Sequence, residues 1–222
     1  MQIAGWEKNS FVDFPGRISC VIFAPGCNFN CWYCHNAGIK DEHINFAEIL
    51  EFLERRKNLI DGVVFSGGEV TLQKDLKERI EEVKNLGFLV KLDTNGTNPE
   101  VLRNLIDSKL VDYVAMDIKA PKEKYEQIVC RKVDMNKIQE SIDILMQGKV
   151  PYEFRTTFSP DLLHDDIRQI AKWISGAAHY SVQQYRTETH LGHLDKKPHD
   201  PEYVRQAAEI ARVYVKTDIK GL

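Results

Sequence analysis

Residues 18–34 read ISCVIFAPGCNFNCWYC and join a short apolar run to three closely spaced cysteines. The β-branched and aromatic residues of 18–23 predict a buried strand. Cys27, Cys31 and Cys34 follow that strand in the spacing C-x-x-x-C-x-x-C. A loop of potential metal ligands directly after a strand indicates a site at the carboxyl end of a sheet, where α/β proteins bind ligands.

The same order of a short strand followed by an amphipathic helix recurs along the chain. The predicted strands are 18–23, 63–65, 88–92, 113–116, 152–157 and 180–185, with 213–219 as a further candidate. The predicted helices are 46–59, 72–86, 99–108, 135–147, 165–174 and 201–211. Six βα units predict an α/β fold with a parallel sheet and outer helices, either an open doubly wound sheet or an incomplete barrel.

Composition narrows the class of protein. The chain has 222 residues, of which 43% are hydrophobic and 28% charged, and its formal net charge is −3. Such a chain can form one core, so we expect a single domain over 1–222. The balanced charge gives no basic surface for nucleic acid, and no apolar run approaches the ~20 residues needed to cross a membrane. We therefore expect a cytoplasmic protein that binds neither nucleic acid nor membrane.

The five cysteines do not suggest a disulfide framework, because their number is odd and three of them lie within eight positions. Thiols stay reduced in the cytosol, so three in one loop indicate ligands of a metal or an iron–sulfur cluster. Three thiolates would leave the fourth iron of a cubane cluster without a protein ligand. A zinc site that uses His35 as a fourth ligand is the structural alternative.

Several further motifs carry a family resemblance. They are Tyr33 before the third cysteine, VDFPGR at 12–17, CHN at 34–36, SGGE at 66–69, DTNG at 93–96 and MDIK at 116–119. Together with the cysteine spacing they resemble the radical S-adenosylmethionine (radical SAM) superfamily, and within it the glycyl-radical-enzyme activating group. LVKLDTNGTNPEVL at 89–102 and VDYVAMDIKAP at 111–121 are most similar to the activating proteins of anaerobic ribonucleoside-triphosphate reductase.

This resemblance implies a partial (β/α)6 barrel of the radical SAM type, whose mouth holds a 4Fe-4S cluster on Cys27, Cys31 and Cys34 beside S-adenosylmethionine. Reductive cleavage of S-adenosylmethionine would give a 5'-deoxyadenosyl radical, which removes a hydrogen atom from a glycine of a partner glycyl radical enzyme. The implied partner is anaerobic ribonucleoside-triphosphate reductase. The implied electron donor is a flavodoxin or a ferredoxin-like protein.

The resemblance also assigns residues to S-adenosylmethionine. Gly67, Gly68 and Glu69 would bind its amino group through a carboxylate or a carbonyl, and Tyr33 would contact the adenine. The family usually has proline after the glutamate, whereas this chain has Val70.

Carboxylates at the ends of neighbouring strands form a second group. Asp93, Thr94 and Asp117 are implied to hold a monovalent cation that touches the carboxylate of S-adenosylmethionine. Lys119 would pair with that carboxylate or with Asp117. Arg155 would project inward from the fifth predicted strand toward the adenosine or an incoming peptide.

Two other functions remain compatible with the sequence. A radical SAM enzyme could act on a small molecule or a nucleoside, which His190, His193 and His199 could help to bind. An iron–sulfur electron carrier would explain the cysteines but would leave the GGE, DTNG and MDIK motifs without a role.

Overall fold

A computed structural model describes residues 1–37, 39, 44–189 and 192–222. The strands are β1 (Gly5–Phe14), β2 (Arg17–Ala24), β3 (Gly62–Gly67), β4 (Leu89–Thr94), β5 (Tyr113–Asp117), β6 (Tyr152–Phe158), β7 (Tyr180–Gln184), β8 (Glu188–Thr189), β9 (Gly192–His193) and β10 (Thr217–Lys220). The α-helices are α1 (Phe46–Arg55), α2 (Leu76–Asn85), α3 (Pro99–Asp107), α4 (Tyr125–Val129), α5 (Met135–Met146), α6 (His164–Trp173) and α7 (Pro201–Arg212).

Eight strands form one sheet in the order β1-β2-β3-β4-β5-β6-β7-β10. The six predicted strands are its parallel centre, β2 to β7, and β10 extends the parallel order. The sheet curls into a half-barrel, which confirms the predicted class of fold. One edge differs from the prediction of a parallel sheet, because β1 was not predicted and pairs with β2 in the antiparallel direction.

The helix boundaries follow from capping and turns. The side chains of Asn45, Asp134 and Asp200 accept hydrogen bonds from backbone N–H groups in the first turns of α1, α5 and α7. Two predicted helices are shorter than expected: α1 ends at Arg55, and α2 begins only after a 3-10 turn at Val70–Leu72. The predicted strand at 213–219 is reduced to β10, because the residues that follow α7, 213–215, turn before the strand begins.

The two faces of the sheet bury different kinds of side chain. The helix-covered face holds the main apolar core, in which Ile22, Phe65 and Leu92 are fully buried. The concave face carries a small apolar cluster of Phe14, Val21 and Val64 near β1 to β3. Beyond that cluster, toward β4 to β7, it carries charged residues. No helix in the described part of the chain is long and apolar enough to span a bilayer.

The end of β3 packs directly against the start of the cysteine loop. The N–H of Gly68 donates to the carbonyl of Ala24, and the N–H of Glu69 donates to the carbonyl of Gly26, each at 2.8 Å. A Cβ atom on Gly68 would overlap the Gly26 carbonyl, and one on Gly67 would overlap the Ala24 backbone. The two glycines therefore allow two backbones to approach more closely than any side chain would permit.

Gly68→Ala tests this contact. We expect the added methyl to lower the free energy of unfolding by about 1–3 kcal/mol, because neither backbone can move without breaking hydrogen bonds. Urea denaturation of the full chain measures the change. Gly5→Ala is the matched control, since a Cβ there meets nothing within 4 Å and its φ is not positive, and it should change stability by at most about 0.5 kcal/mol. Equal stability of the two variants would contradict the account.

Candidate active site

A cavity of about 530 Å³ opens at the carboxyl ends of the parallel strands. This volume lies in the range of roughly 300–1,000 Å³ typical of small-molecule sites. The predicted site residues that line it are Cys27, Cys31, Tyr33, Cys34, Gly67, Gly68, Asp93, Thr94, Asp117, Lys119 and Arg155. Residues separated by more than a hundred positions in the chain are therefore brought together as the resemblance implied.

The residues between the cysteines anchor their loop. The side chain of Asn28 donates to the hydroxyl of Thr97 at 2.9 Å, and the backbone N–H of Asn30 donates to the Val129 carbonyl at the end of α4 at 2.9 Å. Phe29 packs edge-on against Tyr125 of α4 with ring centroids 6.3 Å apart. These contacts hold the loop in place with its three cysteines at the cavity wall.

Asn95 connects the DTNG turn to the first cysteine. Its amide nitrogen lies 2.9 Å from Oδ1 of Asn28 and 3.8 Å from Sγ of Cys27, and it can donate to both. Its amide oxygen accepts from the backbone N–H and the hydroxyl of Thr97. The backbone N–H of Phe29 also donates to Sγ of Cys27 at 3.3 Å. Cys27 therefore has two N–H donors ready for a thiolate.

The three thiols are free cysteines in the structure. Burial raises the pKa of the Cys31 thiol to about 11 and raises that of Cys27, so these groups are neutral thiols until a metal displaces their protons. In the described residues, no three His, Cys, Asp or Glu side chains converge on one point where a single ion could bind. Three cysteines of one loop at the wall of one cavity fit a four-iron cluster, in which each thiolate binds a different iron.

Glu69 is the one predicted site residue that does not line the cavity. Only 1% of it is exposed. Its Oε1 accepts from the hydroxyls of Thr71 and Thr94 at 2.5 and 2.8 Å, and its Oε2 accepts from the backbone N–H of Asn95 at 2.6 Å. Burial raises the pKa of this carboxyl, and the hydrogen bonds oppose that rise. The carboxylate thus holds the ends of β3 and β4 together and does not face a ligand.

Asp93 and Asp117 lie at the ends of β4 and β5, and Arg155 of β6 joins them. Nε of Arg155 is 2.9 Å from Oδ1 of Asp117, and its Nη1 is 3.4 Å from Oδ2 of Asp93. Lys119 pairs with Oδ2 of Asp117 at 2.8 Å, which is one of the two partners that the sequence analysis allowed. Burial alone would raise the pKa of Asp117, but Arg155 and Lys119 outweigh burial and hold that pKa well below its usual range.

Asp93 has a second cation that the sequence analysis did not identify. The ammonium group of Lys91, two residues earlier on β4, forms an ion pair with Oδ1 of Asp93. Burial would raise the pKa of Asp93, yet Arg155 and Lys91 together lower it. Strand periodicity offered a signal for this contact, because residues two apart on a strand share a face.

Tyr33 lies at the cavity with 4% of its surface exposed, and burial raises the pKa of its hydroxyl. That hydroxyl has no hydrogen-bond partner within the described residues. A buried polar atom at a cavity wall is suited to a ligand. Contact with adenine stays a prediction.

The late strands place some of the other polar residues at the cavity. Thr157 of β6 and Gln183 of β7 line it, whereas Tyr185 packs against Trp32 with ring centroids 5.5 Å apart. His199 is not among the residues that line the cavity, and its ring nitrogen donates to the Leu162 carbonyl. His190 and the side chain of His193 lie outside the described residues.

Two asparagines were also missed as individual site residues, although both belong to motifs noted in the sequence. Asn95 is the third residue of DTNG, and Asn36 is the last of CHN. The amide of Asn36 donates to the Gly67 carbonyl at 2.6 Å and so closes the far end of the cysteine loop onto β3.

Comparison with known protein structures supports the fold alone, because the identities are low. A Streptococcus suis SuiB structure with its precursor peptide SuiA has a TM-score of 0.73 at 15% identity, covering 90% of this chain and 48% of that chain. The chain thus spans about half the length of SuiB. A domain of the pyruvate-formate lyase-activating enzyme from Bacteroides vulgatus has a TM-score of 0.59 at 19% identity, covering 72% of this chain and 99% of that one.

Sequence comparison identifies the family. The profile of the Radical SAM superfamily matches residues 21–174. A Methanocaldococcus jannaschii protein named as a glycyl-radical enzyme activating enzyme is 40% identical over 96% of this chain and 92% of its own. The pyruvate formate-lyase-activating enzyme of Clostridium pasteurianum is 37% identical over 51% of this chain and 50% of its own. The chain therefore belongs to the Radical SAM superfamily, and within it to the glycyl-radical-enzyme activating enzymes.

Proposed function

We propose that this enzyme activates a partner glycyl radical enzyme by removing one hydrogen atom from a backbone glycine. One electron added to the sulfonium of S-adenosylmethionine breaks the bond from sulfur to the 5' carbon and gives methionine and a 5'-deoxyadenosyl radical. That radical takes the hydrogen atom from the glycine Cα, which yields 5'-deoxyadenosine and a glycyl radical on the partner. A 4Fe-4S cluster, when bound, supplies the electron.

The observation that carries the proposal is the position of Cys27, Cys31 and Cys34 on the same cavity as the Asp93–Arg155–Asp117 group. Three thiolates can hold a four-iron cluster and leave one iron open to a ligand. The cationic side chains of Arg155 and Lys119 lie on that cavity and suit a carboxylate. The Tyr33 hydroxyl is a candidate donor or acceptor for the adenosine.

Other residues of the chain position these groups. Gly67 and Gly68 allow the cysteine loop to lie against β3, so their part is close backbone approach. Glu69 and Thr94 connect the ends of β3 and β4 by a hydrogen bond of 2.8 Å. The amino group of S-adenosylmethionine would then bind to the open iron and to backbone carbonyls, with no direct contact to the Glu69 carboxylate.

Two exposed apolar residues favour a protein substrate over a small molecule. Phe11 and Val12 are 74% and 84% exposed on β1, and the next residue, Asp13, lines the cavity. Adjacent exposed apolar side chains beside an active site are suited to a protein partner. The resemblance of 89–102 and 111–121 points to anaerobic ribonucleoside-triphosphate reductase as that partner, with a flavodoxin or ferredoxin-like electron donor.

Two further features complete the proposal. Eight strands, from β1 near the start of the chain to β10 near its end, share one sheet, which supports a single radical SAM domain over 1–222. The reduced thiols that a cluster needs fit the cytoplasm.

The monovalent cation implied at Asp93 and Asp117 stays a prediction that this geometry does not favour, because protein donors already occupy both carboxylates.

Radical transfer is the direct test. The enzyme, reconstituted anaerobically with iron and sulfide and then reduced, is mixed with S-adenosylmethionine and anaerobic ribonucleoside-triphosphate reductase. We expect 5'-deoxyadenosine by chromatography and a glycyl radical signal by electron paramagnetic resonance. Cys31→Ala should abolish both, because it removes a cluster ligand, while the exposed Cys130→Ala should retain both.

The outcomes separate the competing functions. 5'-Deoxyadenosine without a signal on any glycyl radical enzyme offered would favour a small-molecule substrate. No cleavage by a preparation with an intact, reducible cluster, in the presence of the partner, would contradict the proposal and favour an electron carrier. Full activity of Cys31→Ala would show that the ligand assignment is wrong.

Asn95→Ala tests whether the amide of Asn95 supports Cys27 as a cluster ligand. The variant loses the amide that faces Sγ of Cys27, and hydrogen bonds to sulfur help to set the reduction potential of a cluster. We expect a more negative potential and a loss of roughly 10–100-fold in cluster affinity or activity. Iron and sulfide analysis and a redox titration measure these effects. Asn104→Ala, on the exposed side of α3, is the control and should behave as the unmodified protein.

A further inference from the structure

All four oxygens of the two cavity carboxylates accept contacts from protein donors. Oδ1 of Asp93 pairs with Lys91, and Oδ2 accepts from the hydroxyl of Ser66 at 3.0 Å and from Arg155 at 3.4 Å. Oδ1 of Asp117 pairs with Arg155 at 2.9 Å, and Oδ2 pairs with Lys119 at 2.8 Å. A bare metal cation placed between these carboxylates would have to displace at least one of the donors.

The burial of Lys91 restricts the groups with which its ammonium can form an ion pair. Its side chain is 1% exposed, and its neighbours across the sheet are Val64 of β3 and Tyr113 of β5. An ammonium group without a counter-charge in such surroundings would be very costly, so the pair with Asp93 is what permits a lysine here. Burial lowers the pKa of Lys91, and the adjacent Asp93 opposes that effect.

The formal charges in this group do not cancel. Two carboxylates, on Asp93 and Asp117, face three cationic side chains, on Lys91, Lys119 and Arg155. Deeper on the same face, Glu153 is paired with Lys220 at 2.6 Å and adds no net charge. These five side chains together therefore carry one net positive charge. A monovalent cation would increase this charge, whereas a carboxylate would neutralise it.

We propose that Lys91, together with Arg155 and Lys119, takes the place of a bound monovalent cation at the Asp93–Asp117 pair. The cavity then binds an organic carboxylate directly, without a requirement for Na⁺ or K⁺. That this carboxylate belongs to S-adenosylmethionine rests on the proposed function, whereas the exclusion of the cation does not. Lys91 acts as a positioning residue, because it holds Asp93 and through it the orientation of Arg155.

The test compares three salts at matched ionic strength: NaCl, KCl and tetramethylammonium chloride, whose cation is too large for the pair. Thermal midpoints of the cluster-loaded full chain are measured anaerobically, and calorimetry gives the affinity for S-adenosylmethionine. Broadening of the ²³Na resonance reports ion binding independently of catalysis. For the unmodified enzyme we expect the same midpoint and affinity in all three salts and no specific ²³Na broadening.

Lys91→Met should make the thermal midpoint depend on Na⁺ or K⁺, a dependence that the unmodified enzyme lacks. We expect its midpoint in tetramethylammonium chloride to fall by roughly 5–15 °C, because the partly buried Asp93 loses one of its two cations. Na⁺ or K⁺ should restore part of this loss and should broaden the ²³Na line. Lys84→Met is the matched control. Its ion pair with Asp112, at 2.7 Å, is about one quarter exposed, and its loss should be small and equal in all three salts.

Should Lys91→Met fail to fold, the double variant Lys91→Met/Asp93→Asn removes both charges and should fold with no response to either ion. Selective stabilisation of the unmodified enzyme by Na⁺ or K⁺ would overturn the proposal. So would a Lys91→Met variant that matches the unmodified enzyme in every salt. Because midpoints and ²³Na broadening do not depend on radical chemistry, these results stand apart from any failure to form 5'-deoxyadenosine.

Discussion

Arg155 lies between two partly buried carboxylates on the concave face of the sheet and forms an ion pair with each. Carboxylates removed from water are costly unless charged donors compensate them, so the cavity wall depends on this arginine and on the lysines beside it. Arg155 also joins β6 to the ends of β4 and β5. The same contacts that keep the carboxylates charged therefore hold three strands in place at the edge where the site opens.

A second set of contacts brings the cysteine loop to that edge. The backbone at Gly68 meets the backbone at Gly26, and Asn95 reaches from the end of β4 to Asn28 and Cys27. Glu69, which follows β3, accepts hydrogen bonds from the hydroxyls of Thr71 and of Thr94 in β4, and so connects the ends of the two strands. The SGGE and DTNG motifs thus both line the cavity and support the loop, and the supporting side chains of Glu69, Thr94 and Asn95 are the buried ones.

Most of the architecture could be predicted from the sequence, since each parallel strand is a short β-branched or aromatic-rich segment followed by loop residues and an amphipathic helix. β1 could not be predicted in this way, because residues 7–9 are exposed and polar and so lack the alternation of apolar and polar residues that marks a strand. It lies at the edge of the sheet and pairs with β2. The cysteines were identifiable from their spacing. The direction of the Glu69 side chain could not be predicted. The SGGE motif places this residue at the end of a strand but does not determine whether its side chain faces the cavity or the protein interior. Lys91 shares a face with Asp93 by strand periodicity, but its complete burial depends on Val64 and Tyr113 in neighbouring strands.

An anaerobic crystal structure of the enzyme with S-adenosylmethionine tests the account most directly. The account predicts a four-iron cluster on Sγ of Cys27, Cys31 and Cys34, with the carboxylate of S-adenosylmethionine against Arg155 or Lys119. It also predicts that Asp93 keeps its contact with Lys91 and that no ion lies between Asp93 and Asp117. A fourth protein ligand on the cluster, or S-adenosylmethionine bound outside this cavity, would contradict the account.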